Sequence, residues 1–193
     1  MDDFKEELKD AICNDDIAFL KKNRGKYTID ERFPDEDNDT LLLYSISDPG
    51  SNSYEYFLEN NADVTLVNDL GENVIHSIVF SGDKERMLRL LNKDNINHQS
   101  KDGSTPLYLA ILIEKYEMAQ ILIKGGADVN IPNYEKDSPI HLACYFWNMQ
   151  MVQELVNSRA NLFAKNDNGN LPFALAVNKG HDDIVRFLYK KIY

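Results

Sequence analysis

The chain has few of the residues that usually carry chemistry. It holds one tryptophan, two cysteines and four histidines in 193 residues. No run of 18 apolar residues occurs, which excludes a membrane-spanning helix. The opening Met-Asp-Asp-Phe-Lys-Glu-Glu lacks both a basic start and an apolar stretch, so no secretory signal is read there. Cys13 and Cys144 fall in separate helical segments. They are expected to be small buried hydrophobes in a reducing compartment, which points to an intracellular location, cytoplasmic or nuclear. No pair of Cys or His stands at metal-ligand spacing. There is no Gly-x-Gly-x-x-Gly and no phosphate-binding loop, and Gly125-Gly126 does not continue into one. The acidic run Asp35–Asp39 lacks the central Gly and terminal Glu of a calcium loop. No cofactor, metal or catalytic residue is expected.

Positive charge is also scarce, and unevenly so. The net charge is −11. Residues 1–66 hold 17 acidic against 7 basic side chains, whereas residues 67–193 hold 15 against 14. The basic residues form no stripe, so direct nucleic-acid binding is not expected. The acidic end repels anionic membranes and would attract a basic partner, or serves only as a solubilising cap.

What the chain does have is a beat. Pro106, Pro139 and Pro172 recur every 33 residues, in Thr105-Pro106-Leu107-Tyr108-Leu109-Ala110, Ser138-Pro139-Ile140-His141-Leu142-Ala143 and Leu171-Pro172-Phe173-Ala174-Leu175-Ala176. Leu58, Leu91, Ile123, Val156 and Tyr189 close a second apolar run in each unit. Gly71, Gly103 and Gly169 precede the next unit, where a tight turn needs positive φ. A period between 20 and 50 residues means a stacked array of supersecondary units.

These phrases resemble the ankyrin repeat, most closely over Asp102–Asn130, where Gly, Thr-Pro-Leu, Ala and Gly-Ala-Asp-Val-Asn stand in register. The resemblance implies an all-α solenoid of helix-turn-helix units forming one elongated domain over 1–193. Repeats are expected at about 35–67, 68–99, 100–132, 133–165 and 166–193. First helices are expected near 40–47, 73–81, 105–113, 138–146 and 171–179. The earliest unit keeps Thr40 but lacks the proline, and turns through Asp48-Pro49-Gly50-Ser51-Asn52. Residues 1–34 read as a helical cap, with helices Asp3–Asn14 and Asp15–Asn23 and a polar loop over 23–38.

The histidines are read as structural. His76 and His141 share one phase, and the resemblance implies a ring that hydrogen-bonds across the repeat turn. Tyr108 and Ala174 replace it elsewhere, so its chemistry is not required. Asp15-Asp16 and Asp182-Asp183 sit at helix starts, where the helix dipole favours them.

The resemblance places two positions of each first helix on a concave binding side: Ser47 and Asp48, Phe80 and Ser81, Leu112 and Ile113, Tyr145 and Phe146, Asn178 and Lys179. Phe80, Leu112, Ile113, Tyr145 and Phe146 then form an apolar stripe, or else pack as ordinary core. Hairpin tips beside it are acidic or polar, with Asp37, Asp69, Glu72, Asp102, Tyr134 and Glu135 as candidate contacts. Trp147 stands where many ankyrin repeats end the first helix with Gly. Asn148 is expected to take the left-handed role instead, leaving Trp147 either to extend the aromatic patch or to fold back over the helix pair.

An apolar centre with a charged rim is the anatomy of a protein interface. The expected function is therefore non-catalytic binding of another protein, as scaffold or inhibitor, with a basic partner favoured by the rim. Three alternatives stand beside it. One is an acidic inhibitor covering the cationic groove of a nuclease or nucleic-acid-binding protein. Another is a structural subunit, with weak self-association through the apolar C-terminal repeat. The third, an enzyme, rests only on the histidines.

Overall fold

The computed structural model describes residues 2–47 and 52–193. The turn at 48–51, and with it Asp48, lies outside the described residues, as does the side chain of Ser47. The chain divides into two compact units, Met1–Leu90 and Leu91–Tyr193.

The first unit opens with α1 (Asp2–Cys13) and α2 (Ile17–Lys22), the expected helical cap. Asp16 caps α2 by accepting from the Phe19 N–H at 2.9 Å. The polar loop that follows contains a 3-10 turn (Arg24–Lys26) and a two-residue strand, β1 (Arg32–Phe33). It pairs antiparallel with β2 (Asp39–Thr40), Arg32 opposite Thr40. Two helix pairs follow: α3 (Leu41–Ser47) with α4 (Ser53–Glu59), and α5 (Val74–Ser81) with α6 (Lys84–Leu90). Helix α3 packs on α5. The core is Leu8, Ile12, Leu20, Phe33, Leu41, Ile46, Phe57, Ile75, Ile78 and Met87, all fully buried.

The second unit stacks three pairs: α7 (Pro106–Leu112) with α8 (Tyr116–Lys124), α9 (Pro139–Tyr145) with α10 (Met149–Asn157), and α11 (Pro172–Lys179) with α12 (Asp182–Ile192). Helix α9 is the middle layer, packed on both α7 and α11. Each first helix begins with its proline, whose missing N–H is not needed there and whose φ suits a helix start. All five first helices fall within a residue or two of the expected bounds.

The 33-residue beat is a beat in the backbone. Left-handed residues recur at the hairpin tips (Asn38, Gly71, Gly103, Lys136, Gly169), between the two helices of a pair (Gly82, Glu114, Trp147, Gly180), and after the second helix (Asn61, Gly126, Arg159). Glycine is required at Gly103: with φ +84°, a Cβ there would lie 2.6 Å from the Tyr134 ring. The tips are tied by side chains. Asn133 Oδ1 accepts from the Glu135 and Asp137 N–H groups, and Asn166 Oδ1 from those of Asn168 and Asn170. Successive tips pair through their backbones, Tyr134 N–H to Asp102 O and Asp167 N–H to Glu135 O, both 2.9 Å.

Two ionic features of the first unit were not legible in the sequence. Lys9 is buried along its stem, and its ammonium meets Asp35, Glu36 at 3.2 Å and Glu6 at 3.6 Å. Burial alone would lower its pKa, but the two partner carboxylates outweigh this and hold it above the ordinary lysine value. Arg86 is buried and donates to Ile46 O at 2.9 Å. It stacks on Tyr54 at 4.4 Å. Its Nε lies 3.1 Å from Asp83 Oδ2, close enough for charge attraction without hydrogen-bond alignment.

Candidate functional site

The stripe positions fall in both units. In the first, Phe80 is 46% exposed on α5. In the second, Leu112 and Tyr145 are 40% and 43% exposed, while Ile113 and Phe146 are half-buried. The reading of these residues as buried core therefore fails for Phe80, Leu112 and Tyr145, while Ile113 and Phe146 are partly covered. The reason is geometric: they end their helices, where the chain leaves the layer for the next turn.

Leu112, Tyr145 and Phe146 line a groove of about 410 Å³ in the second unit, together with Leu142 and Leu175. Its other wall is polar and comes from the tips: Asp137, Asn166, Asn168 and Asn170. Ile113 does not line it. Asn166 Nδ2 donates to Asp137 Oδ1 at 2.8 Å, fixing that wall. The ring of Tyr145 meets Phe146 edge-on at 5.3 Å, and Lys179 lies 3.9 Å above the Tyr145 ring. Leu142 and Leu175 escaped the sequence reading because they belong to the repeated phrase and looked like core.

His141 borders the groove and is a structural tie. Its Nε2 lies 3.2 Å from Asn170 O, so that nitrogen carries the proton. Its Nδ1 then accepts from the Ser138 N–H at 3.1 Å and from the Ser138 hydroxyl at 2.7 Å. Burial lowers its pKa, against smaller upward pulls from Asn170 O and Asp137. Tyr108, at the same phase, keeps the tie by another route: its hydroxyl accepts from Asn133 Nδ2 at 3.1 Å. His76 is fully buried with Nδ1 2.7 Å from Asn73 Oδ1.

Tip residues differ in what they offer. Asp37, Asp69, Asp102, Tyr134 and Glu135 are exposed, and Glu72 is half-buried. Burial would raise the Asp102 carboxyl, but bonds from Ser100 Oγ and from Ser104 N–H and Oγ outweigh it and hold the group low. Asp39 behaves oppositely: burial pushes its carboxyl up to about 6, and Oδ1 has no hydrogen-bond partner.

The structure departs from two expectations. Trp147 itself takes the left-handed conformation, φ 58°, and α9 ends at Tyr145, so the helix is not lengthened. Asn148 instead caps α10, accepting from the Met151 N–H at 2.8 Å. A bulky residue held at positive φ costs on the order of 1 kcal/mol. Trp147 reaches the following repeat, stacking on His181 at 5.2 Å and donating from Nε1 to Asp183 Oδ1 at 2.8 Å. The second correction concerns Cys13, which is exposed, with Sγ 3.7 Å from Tyr44 Oη; it ends α1 on the outer side. Cys144 is buried as expected, and burial pushes its thiol up to about 12.

Asp15 has a role the sequence did not show. At φ 53° it accepts from the N–H groups of Asn52 and Ser53, capping α4 from a turn 37 residues earlier.

Stacked helix pairs with a 33-residue backbone beat and tip ladders define a solenoid of helix-turn-helix repeats. The family model "Ankyrin repeats (3 copies)" matches residues 42–133 and 115–193, and the chain belongs to the ankyrin repeat family. Members of this family are generally protein–protein interaction modules. The phosphocholine transferase AnkX of Legionella pneumophila is 29% identical over 132 residues, 65% of this chain and 14% of that protein. Ankyrin repeat domain-containing protein 13C of mouse and of human is 36% identical over 59 residues, 31% of this chain and 11% of each. The chain thus matches only a small part of these relatives, and the likeness is one of repeats. Among the described residues, no helix is long and apolar enough to cross a membrane.

Proposed function

We propose that this chain is a non-catalytic recognition module that holds a partner protein in the groove over Leu112, Tyr145 and Phe146. It serves as a scaffold, or as an inhibitor that covers the partner's site. The observation that carries the reading is the groove itself: apolar side chains left open to solvent between walls fixed by hydrogen bonds. A concave, mostly apolar groove with a few placed polar groups is the usual form of a binding site. Asp102, Glu135 and Asp137 on the rim favour a basic partner, steering its approach. The free Cys13 and Cys144 support an intracellular setting, the cytoplasm first. Of the terminal apolar run expected to be exposed, Leu188 is buried, Phe187 and Ile192 are half-buried and Tyr193 is exposed; with Tyr189 and Val177 also exposed, weak self-association through the C-terminal repeat keeps some support and is checked by mass against concentration.

The acidic N-terminal inhibitor reading has less support. Lys9 occupies Asp35 and Glu36, and Asp39 is largely withdrawn from solvent, so that third of the chain presents fewer free carboxylates than its count implies.

The test is a photo-crosslinking amino acid placed at Leu112, compared with one at Leu88, which is exposed on α6. The groove reading expects one discrete crosslinked protein from position 112 alone, lost when Tyr145→Ala is added. Equal crosslinking from both positions would contradict it.

A further inference from the structure

Trp147 is the only tryptophan of the chain and is 61% exposed. At its turn position the preceding and following repeats carry Gly82, Glu114 and Gly180, each left-handed. Nothing in the turn asks for an indole, and the backbone there disfavours one. Yet the ring is held in place. It lies parallel to His181, 3° between planes, and its N–H is bound by Asp183. That indole bond is the chief cause that holds the Asp183 carboxyl below its ordinary value. His181 is itself fixed, its Nε2 3.2 Å from Tyr145 O. Stacking on His181 covers one face of the indole, yet more than half of the residue stays exposed to solvent.

From this arrangement we infer that Trp147, with Asp183 and Asp182, is a platform for an arginine side chain of a partner protein, separate from the groove. An ordered indole face attracts a cation, and a planar guanidinium stacks on it while offering its fork to a carboxylate. Asp183, bound to the ring, is exposed, as is Asp182 before it in the chain, and Glu114 is exposed at the equivalent turn of the preceding repeat. Lys179, two residues before His181, is already drawn onto the Tyr145 ring. Charge complementarity and the exposed ring thus point to the same ligand group. The inference goes beyond the groove reading and stands without it.

Because Trp147 is the sole tryptophan, its emission reports on this site alone. The full chain is titrated at low salt with three capped tripeptides, Gly-Arg-Gly, Gly-Lys-Gly and Gly-citrulline-Gly. The expected result is a saturable change with the arginine peptide, at least threefold weaker with lysine and weaker still with citrulline, which has the shape without the charge. Asp183→Asn, which keeps an oxygen for the indole N–H, should weaken the arginine response at least threefold. A change that does not saturate, or an equal response to arginine and citrulline, overturns the inference. An equal response to arginine and lysine reduces it to attraction by net charge and overturns it too. Fold control comes from Trp147→Gly, expected to melt at or above the parent temperature because Gly suits the turn. A fall of several degrees would show that the stack serves the fold and would also overturn it.

Discussion

Arg86 in the first unit stands four residues after the left-handed Gly82. In the second unit the residues at the same offset from Glu114, Trp147 and Gly180 are Met118, Met151 and Ile184, all buried. One repeat position is thus filled by a guanidinium in one unit and by uncharged apolar side chains in the other. The same contrast runs through both. The first unit holds itself with long-range polar contacts: Lys9 to Asp35 and Glu36, Arg86 to Ile46 O, Asp15 to the start of α4, Arg32 to Val67 O at 2.9 Å. The second fills the same interior with apolar layers behind prolines at helix starts, and its long-range side-chain bonds sit at tips and turns: Asn166 to Asp137, His141 to Asn170 O, Trp147 to Asp183. Leu112 and Tyr145 stay exposed outside those layers, while Trp147, also exposed, ties its turn to the following repeat.

The sharpest way to break the comparison is at Arg86. Arg86→Ala removes the donor to Ile46 O and the partner of Asp83. It should cost about 3 kcal/mol of unfolding free energy in urea, the scale of a broken buried pair. Arg86→Met, which makes the site like that of the second unit, should recover most of the loss, since hydrocarbon of similar volume often replaces a buried charge without penalty. If Met is as damaging as Ala, the polar contacts matter more than the filled space.

The pH response should separate the units by sign. Asp39 has a folded-state pKa of about 6 against an ordinary 3.8, so the folded state holds the proton more tightly. Stability from this group is gained as pH falls from about 6 towards 4, and its buried charge is a burden above that. Asp39→Asn should therefore stabilise the protein at pH 7 by on the order of 1–2 kcal/mol, allowing for partial exposure, with the gain gone near pH 4. His141 acts the other way: its folded pKa is lowered, so its contribution is present above 6.5 and lost as pH falls below that. Thermal unfolding of the two variants between pH 4 and 7.5 gives both signs directly.

His141→Ala should have a smaller effect at pH 7, about 1 kcal/mol for the lost tie to Asn170 O. Partner binding should be unchanged in the folded fraction. Tyr108→Phe should cost less again, since it frees only Asn133 Nδ2, which can turn to water.

Much of the fold is legible in the sequence. Period and phase come from Pro106, Pro139 and Pro172, because a proline at a helix start is a local signal. Left-handed turns are legible at Gly71, Gly103 and Gly169, and illegible at Lys136, Arg159 and Trp147, where the repeat geometry imposes the conformation on residues that do not favour it. Lys9 and Arg86 are illegible for a different reason: their partners lie 26 to 40 residues away, and only folding brings them together. Of the groove, the apolar half is partly legible from helix phase through Leu112, Tyr145 and Phe146. Its polar wall depends on how Asn166 and Asp137 meet across adjacent tips, which no single phrase records.

The central claim is that the second unit keeps Tyr145 for a partner and not for its own fold. The direct test measures both quantities on Tyr145→Ala: urea unfolding, and affinity for the protein captured from position 112. The expected unfolding free energy lies within about 0.5 kcal/mol of the parent, the range for a surface change. The expected binding loss is on the order of 2 kcal/mol, mainly through faster dissociation. An unfolding loss above about 2 kcal/mol, the scale of a truncated core side chain, with unchanged affinity per folded molecule would contradict the claim and return Tyr145 to the core.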